Sequence, residues 1–519
     1  MSRWNRGIRA AAARGAAVGA ALGAALGASA CGDELAFPDH LVFGAAVAGF
    51  QVDMGCPTLP AAECEDRASD WYQFITSTTA RARASTFLTG GPPSTGPGFY
   101  ELYEADLDRA KDLGLAGFRF SIEWSRVFPD PTFGVEGHDA LRARASAAGL
   151  DYYRRLLAAL KARGIQPVVT LHHYTLPSWI HDGAGCTNDF ERCTERGWLD
   201  PRIVPEMSKY AGFVARELGA GIDTWATLNE PMAVVMPGFL MPTVDRTNPP
   251  AQRLRYVEAK VAMLAMIEAH AAMVDAVRGN DTEDADGDGR ATEVGIVYPV
   301  APVLPKDPES AVDRLGAHNI GYVYNDVFMN AVIDGVLDDD LDGTGERQDR
   351  LADRCDFLGL NYYTKVVVEG EVDSFLPEFS PLLTFDPLSL EQGAVYPRGL
   401  REALVKIRDQ WPRVPVIVTE NGAHTATEGG QERFLIEHLQ ALLRAIHEDD
   451  VDVRGYYWWS LIDNYEWNQG MNLRFGLFSV DPGDPTKARG PREVAELYRQ
   501  VVANRAVSSD LVARFPLSE

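Results

Sequence analysis

The chain of 519 residues is poor in cysteine and in positive charge, and both shortages narrow what it can be. It has six Cys and no Cys-x-x-Cys pair, which argues against a zinc ribbon. Lys and Arg number 49 against 74 Asp and Glu, a formal charge of −25. The first 30 residues hold four Arg and no acid, so the remainder stands four charges lower, at −29. Such an acidic body disfavours nucleic acid and anionic membrane surfaces as partners, and solubility alone is enough to account for it. No Gly-rich phosphate loop follows the first apolar run, which weakens a doubly wound nucleotide-binding sheet. What is present is a hydrophobic content of 46%, ample for a large core.

The N-terminus reads as an export signal. Arg3, Arg6, Arg9 and Arg14 precede an Ala/Gly-rich run from Gly15 to Ala30 that is too short and too weakly apolar to span a membrane well. Ala28-Ser29-Ala30 fits a small-residue cleavage pattern, and Cys31 follows at once, as in a bacterial lipoprotein signal. The expectation is a signal peptide over residues 1–30 and an exported protein: periplasmic, extracellular, or lipid-anchored through Cys31. Cys56 and Cys64, and likewise Cys186 and Cys193, lie close together in loop-like sequence. Each pair can form a local disulfide in an oxidising compartment, though spacing does not fix connectivity. Cys355, beside an apolar run, reads as a buried free thiol.

From Leu41 onward short apolar runs alternate with longer amphipathic ones. Strands are expected at Leu41–Gln51, Gly117–Ile122, Gln166–His172, Ile222–Leu228, Glu293–Tyr298, Asp356–Asn361, Val414–Thr419 and Val453–Trp459. Helical patterns lie between them, one over Ala317–Ile333; in another, Tyr152–Arg163, Leu156, Leu157 and Leu160 form an i, i+3/i+4 stripe. Eight strands separated by crossover helices predict a single α/β domain over 37–510, a (β/α)₈ barrel with loop insertions. The Thr-, Ser-, Gly- and Pro-rich stretch Thr76–Gly98 is expected to be a surface loop. Two further insertions read D-x-D-x-D-G, with Asp284, Asp286 and Asp288 in one and Asp338, Asp340 and Asp342 in the other. That spacing can wrap carboxylates around Ca²⁺, but neither has Glu at the twelfth position, and solvated acidic loops are the plainer reading.

Two glutamates end apolar runs: Glu230 in Thr227-Leu228-Asn229-Glu230-Pro231, and Glu420 in Val418-Thr419-Glu420-Asn421-Gly422. Either alone can simply cap the helix that follows. In a parallel barrel, however, strand ends converge on one face, where two carboxyls can serve as acid and nucleophile. His172-His173 does not make a metal pair, because neighbours on a strand point to opposite faces and no third ligand is apparent.

With these motifs stand Phe43-Gly44-Ala45-Ala46, the run Phe118 to Arg126, Asn361-Tyr362-Tyr363 and the segment Trp459 to Trp467. Together, from about Leu41 to Asn504, they resemble glycoside hydrolase family 1, the β-glucosidase family. The resemblance implies a retaining β-glycosidase that hydrolyses terminal β-linked glucosides or related sugars through a covalent glycosyl-enzyme, without a cofactor. It implies Glu420 as nucleophile, Glu230 as acid and then base, Arg119 beside the nucleophile, and Asn361 and Tyr363 as polar groups near it. It also implies that Gln51, His173, Asn229 and Glu466 bind sugar hydroxyls, with Trp459 as aromatic platform and Trp467 as a neighbouring indole donor. Glu466 favours an unphosphorylated sugar, since a carboxylate repels phosphate. The chain departs from the family at Phe43, Tyr174, Thr175 and Met471, where Trp, Trp, Asp and Tyr are usual, and the preferred sugar is left open.

Overall fold

The computed structural model describes residues 35–387, 389–392 and 395–518; the expected signal peptide and Cys31 lie outside them. Eight parallel strands close a barrel in chain order. They are β1 (Val42–Ala46), β2 (Gly117–Ser121), β3 (Gln166–His172), β4 (Thr224–Asn229), β5 (Glu293–Tyr298), β6 (Leu358–Tyr362), β7 (Val416–Asn421) and β8 (Val453–Trp459). The barrel closes where β8 pairs with β1, Tyr456 opposite Phe43 and Trp459 opposite Ala46. Helices lie between the strands, among them Phe99–Asp112, Ala147–Arg163, Ile203–Leu218, Tyr256–Asn280, Pro397–Gln410, Gly430–His447 and Glu493–Asn504. Parallel neighbours need such crossovers, so the alternation of patterns in the chain produces this closed (β/α)₈ fold.

Two apolar layers follow from strand alternation. Side chains pointing outward, such as Phe118 and Phe120 of β2, pack into the main core beneath the helices. Those pointing inward, including Ala46, Val168, Ala226, Val297, Ile417 and Tyr457, fill the barrel lumen. Tyr457 lies so close to β1 and β2 that both must be bare where it passes. A Cβ on Gly44 would stand 2.4 Å from its ring, and one on Gly117 2.4 Å from its hydroxyl. The lumen below the site is therefore filled.

Pairing registers slip near the C-terminal ends of three strands: between Ala226 and Asn229 in β4, between Leu360 and Asn361 in β6, and between Val418 and Asn421 in β7. Such irregularities re-aim side chains, and here they adjoin Glu230, Asn361 and Glu420. Outside the barrel, Leu35–Ala36 pairs with Ala506–Val507 and brings the two ends of the described chain together.

Three stretches differ from expectation. The first strand stops at Ala46, and Gly49–Asp53 is a short helix, which carries Gln51 to the top of the barrel. Thr76–Gly98 is not an open loop. Ser77 caps the helix Thr78–Arg83, Arg81 donates to the carbonyls of Ile75 and Gly90, and Leu88 is buried. The helix expected over Ala317–Ile333 begins earlier, at Ala311, capped by Ser310, and continues beyond Gly321 with wider π-type turns.

The structure pairs Cys56 with Cys64 and Cys186 with Cys193 as disulfides, in the loops after β1 and β3. Cys355 is free but only partly buried, and it donates to the Phe357 carbonyl. In the acidic loops, Asp338, Asp340 and Asp342 bring carboxylate oxygens within 4.8 Å of one another. In the first loop the expected trio is not what gathers. Asp284 and Asp286 meet Asp223, whereas Asp288 turns away to accept the Arg290 amide. The cause is the packing of this loop on the turn before β4, where the Ala285 amide donates to Asp223.

Candidate active site

Glu230 follows the last residue of β4 and heads the helix Pro231–Val235 with left-handed backbone angles, φ 47° and ψ 66°. That conformation is costly for a residue with a Cβ and tends to occur where a side chain must be aimed. Its amide is held by the Val297 carbonyl at 2.9 Å, across from β5. Its Oε1 accepts from Asn361 Nδ2 at 2.9 Å, and its Oε2 accepts the Tyr174 hydroxyl. Glu420 lies within β7. Its Oε1 is paired with Arg119 Nη1 and its Oε2 accepts from the Tyr363 hydroxyl at 2.6 Å.

The two acids belong to one hydrogen-bonded chain. From β2, Arg119 donates to Glu420, to Thr170 Oγ1 at 3.1 Å and to Asn229 Oδ1 at 2.7 Å. Asn229 Oδ1 also accepts from Asn361 Nδ2 at 3.2 Å, and Asn361 Oδ1 accepts from Thr419 Oγ1 at 2.8 Å. Side chains from β2, β3, β4, β6 and β7 thus fix one another, and all are buried. A buried polar group costs stability unless it is paired, and here each of these has a partner.

Burial raises the Glu420 carboxyl, to about 7; the Arg119 guanidinium pulls it down and the charge on Glu230 pushes it up. Arg119 and Tyr363 both stabilise negative charge on Glu420, as suits a carboxylate that attacks. Burial, with the charge of Glu420 next, pushes the Tyr363 phenol well above its usual range, so it stays a donor. Burial and nearby Arg119 hold His173 well below its usual value, hence neutral.

The rim supplies groups of a different kind. Gln51 Nε2 donates to Glu466 Oε2 at 3.1 Å and to the Tyr465 carbonyl at 3.3 Å. Glu466 also accepts from Asn464 Nδ2 at 2.6 Å and faces Arg246 Nη1 at 3.5 Å. The His173 ring lies nearly parallel to both Trp459 and Trp467, with centroids 5.9 and 5.8 Å away. His173 Nε2 meets Asn229 Nδ2 at 3.3 Å. Gln51 Oε1 and His173 Nδ1 are buried without a hydrogen-bond partner, as groups awaiting ligand hydroxyls would be. His172 points the other way, edge-on to Trp198 at 5.2 Å.

Every residue singled out for the reaction or for sugar contact enters this cluster. Two participants were not singled out. Tyr174 was visible only as a departure from the family, and its contact with Glu230 depends on a left-handed φ of 72°. Arg246 sits over the Tyr174 ring at 5.6 Å and comes from irregular chain after Leu240, where no periodic pattern marks a position.

Comparison with known proteins agrees with the geometry. The family model described as glycosyl hydrolase family 1 matches residues 34–507. A β-galactosidase of Pyrococcus woesei is 32% identical over an alignment that spans 92% of this chain and 98% of that one. The crystal structure of the β-glycosidase from Thermosphaera aggregans superposes with a TM-score of 0.78 at 26% identity, covering 93% of this chain and all of that one. A rice β-glucosidase mutant solved in a covalent complex with Glc superposes at TM-score 0.71 and 25% identity, over 89% of this chain and 98% of that one.

Proposed function

Because the chain belongs to glycosyl hydrolase family 1 and is a glycoside hydrolase, we propose that it removes terminal β-linked, unphosphorylated glucose, or a close relative such as galactose, with Glu230 and Glu420 as its two acids. The observation that carries this reading is the linked pair itself: one carboxyl held by a cation and a phenol, the other by an amide and a phenol, with no cation on its oxygens among the described residues. The first suits a nucleophile and the second a proton donor.

In the first step a Glu420 oxygen attacks C1, the C1–O bond to the aglycone breaks, and the Glu230 proton passes to the departing oxygen. In the second, Glu230 takes a proton from water, the water oxygen bonds to C1, and Glu420 is released as carboxylate. Two inversions leave the anomeric configuration retained, a course that calls for carboxyls about 5–5.5 Å apart. Gln51, His173, Asn229 and Glu466 would bind glycone hydroxyls, with Trp459 against the sugar's C–H face and Trp467 as the neighbouring indole donor. Each step is assigned to side chains of the chain itself, without a metal.

The test is release of p-nitrophenol from aryl β-glucoside, β-galactoside and 6-phospho-β-glucoside, with Glu420→Ala and Glu230→Ala alongside. Turnover of the unphosphorylated sugars, with at least a ~10³-fold loss in the Glu420 variant, is expected. A 2-deoxy-2-fluoro glucoside should label the peptide bearing Glu420. Label on another residue, or equal turnover of the 6-phosphoglucoside despite Glu466, would sink the assignment.

Export is proposed as well, with Cys31 as the lipid-bearing first residue of the mature chain, on the Arg-rich start and the two close disulfides. Mass spectrometry of the mature N-terminus decides it; an unmodified Cys31, or retention of residues 1–30, would overturn the anchor.

A further inference from the structure

Tyr174 directly follows His173 at the end of β3, in a left-handed turn whose Thr175 hydroxyl is anchored on the buried Glu123. Its ring is buried, 4.8 Å from Trp467 and 4.9 Å from His173, with the Arg246 guanidinium over it at 5.6 Å. Packing on three sides fixes the phenol, and its hydroxyl meets one group, Glu230 Oε2. Among the described residues it is the one hydroxyl on the proposed acid; the other donor to that carboxyl is the Asn361 amide.

We propose that Tyr174 is a positioning residue for proton transfer: its donated hydrogen bond stabilises the carboxylate that Glu230 becomes on protonating the leaving oxygen, which makes Glu230 the stronger acid that poor leaving groups require. The inference rests on Glu230 as acid and base. A carboxylate has about four lone-pair positions, so the bonds from Tyr174 and Asn361 leave room for the proton that is transferred. Tyr174 keeps its own proton throughout, because burial and the charge of Glu230 push its phenol well above the usual range. A hydrogen bond to the charged form lowers a carboxyl's pKa, and such charge-assisted bonds are strong in a dry site.

The other groups that act on Glu230 are Glu420 from β7, Tyr363 after β6, Arg246, Tyr324 and Glu466. None of these changes when only the Tyr174 oxygen is removed. The effect has opposite signs in the two steps: losing the donor weakens the acid of the first step and strengthens the base of the second.

The experiment compares wild type, Tyr174→Phe and Tyr174→Leu on aryl glycosides of graded leaving-group pKa, across pH 5–9, with Glu230→Ala plus azide as reference. Tyr174→Phe should move the basic limb of kcat/KM up by about one pH unit. It should lower kcat/KM about tenfold for a phenyl glycoside and leave the 2,4-dinitrophenyl glycoside within about twofold. Tyr174→Leu, which also lacks the ring, should show the same limb shift. A Phe variant with wild-type limb and leaving-group slope overturns the role, and so does a Phe variant whose losses are equal for all leaving groups. If azide fails to rescue Glu230→Ala as the β-glycosyl azide, the acid/base reading itself falls and takes this inference with it.

Discussion

At the scale of single residues, Arg119 decides where the charge of the acid pair resides. It pairs with Glu420 and reaches Asn229, which shares an amide donor with Glu230. Burial lifts Glu420 to about 7 against the pull of Arg119, and the nucleophile must be ionised to attack. The acidic limb of kcat/KM is therefore expected above the usual carboxylate range, toward pH 7, with activity falling about tenfold per pH unit below it. An acidic limb at or below the ordinary carboxyl value of 4.5 would contradict it. Arg119→Met removes the pull on Glu420 and should move that limb to higher pH. Tyr363→Phe removes one donor to Glu420, at 2.6 Å, and should lower kcat by about 10–100-fold with little change in thermal stability. Active-site titration beside a melting curve would separate that result from misfolding.

At the scale of elements, the strands were the most legible part of the sequence. All eight runs become barrel strands, because a strand buried on both faces reads as a short apolar run whatever its neighbours do. Their ends were less legible. Leu41–Gln51 was too long, since after Ala46 the chain exchanges the β ladder for a helical turn that no local pattern announces. Irregular pairing in β4, β6 and β7 was not legible either, because it depends on the partner strand rather than on the strand's own residues. The same holds for Tyr174 and Arg246: their residue types were on view, but their contact is made by loop conformation. Barrel packing gives a prediction that belongs to this scale. Gly117→Ala would press a methyl against the Tyr457 hydroxyl at 2.4 Å. Overpacking of this kind costs about 1–3 kcal/mol, so the melting temperature should fall while the surviving folded enzyme keeps its specificity. An unchanged melting temperature would mean that the floor yields easily.

At the scale of the whole molecule, a buried ion pair fastens the chain's late segment to an early helix. Arg489 is bidentate on Asp106, at 2.9 and 2.7 Å, with both side chains nearly inaccessible. Removing Asp106 leaves the Arg489 guanidinium buried without this counter-charge, held only by the Pro97 and Lys487 carbonyls, and breaking a buried pair in this way costs about 3–5 kcal/mol. Asp106→Ala should therefore lower the denaturant midpoint markedly while kcat of the folded protein is preserved; a loss below about 1 kcal/mol would show that water reaches the orphaned guanidinium. The plugged lumen acts at this same scale. With Tyr457 and its neighbours filling the barrel below the catalytic groups, the described residues leave no way through the lumen, so access to the site is from the strand-end face. Traffic through it must be last in, first out: the aglycone, nearest the mouth, departs while the sugar waits at the bottom for water. A saccharide that enters by its tip should be shortened one unit at a time, and the freed monosaccharide, left beside the same acids, should be a competitive inhibitor of its own production.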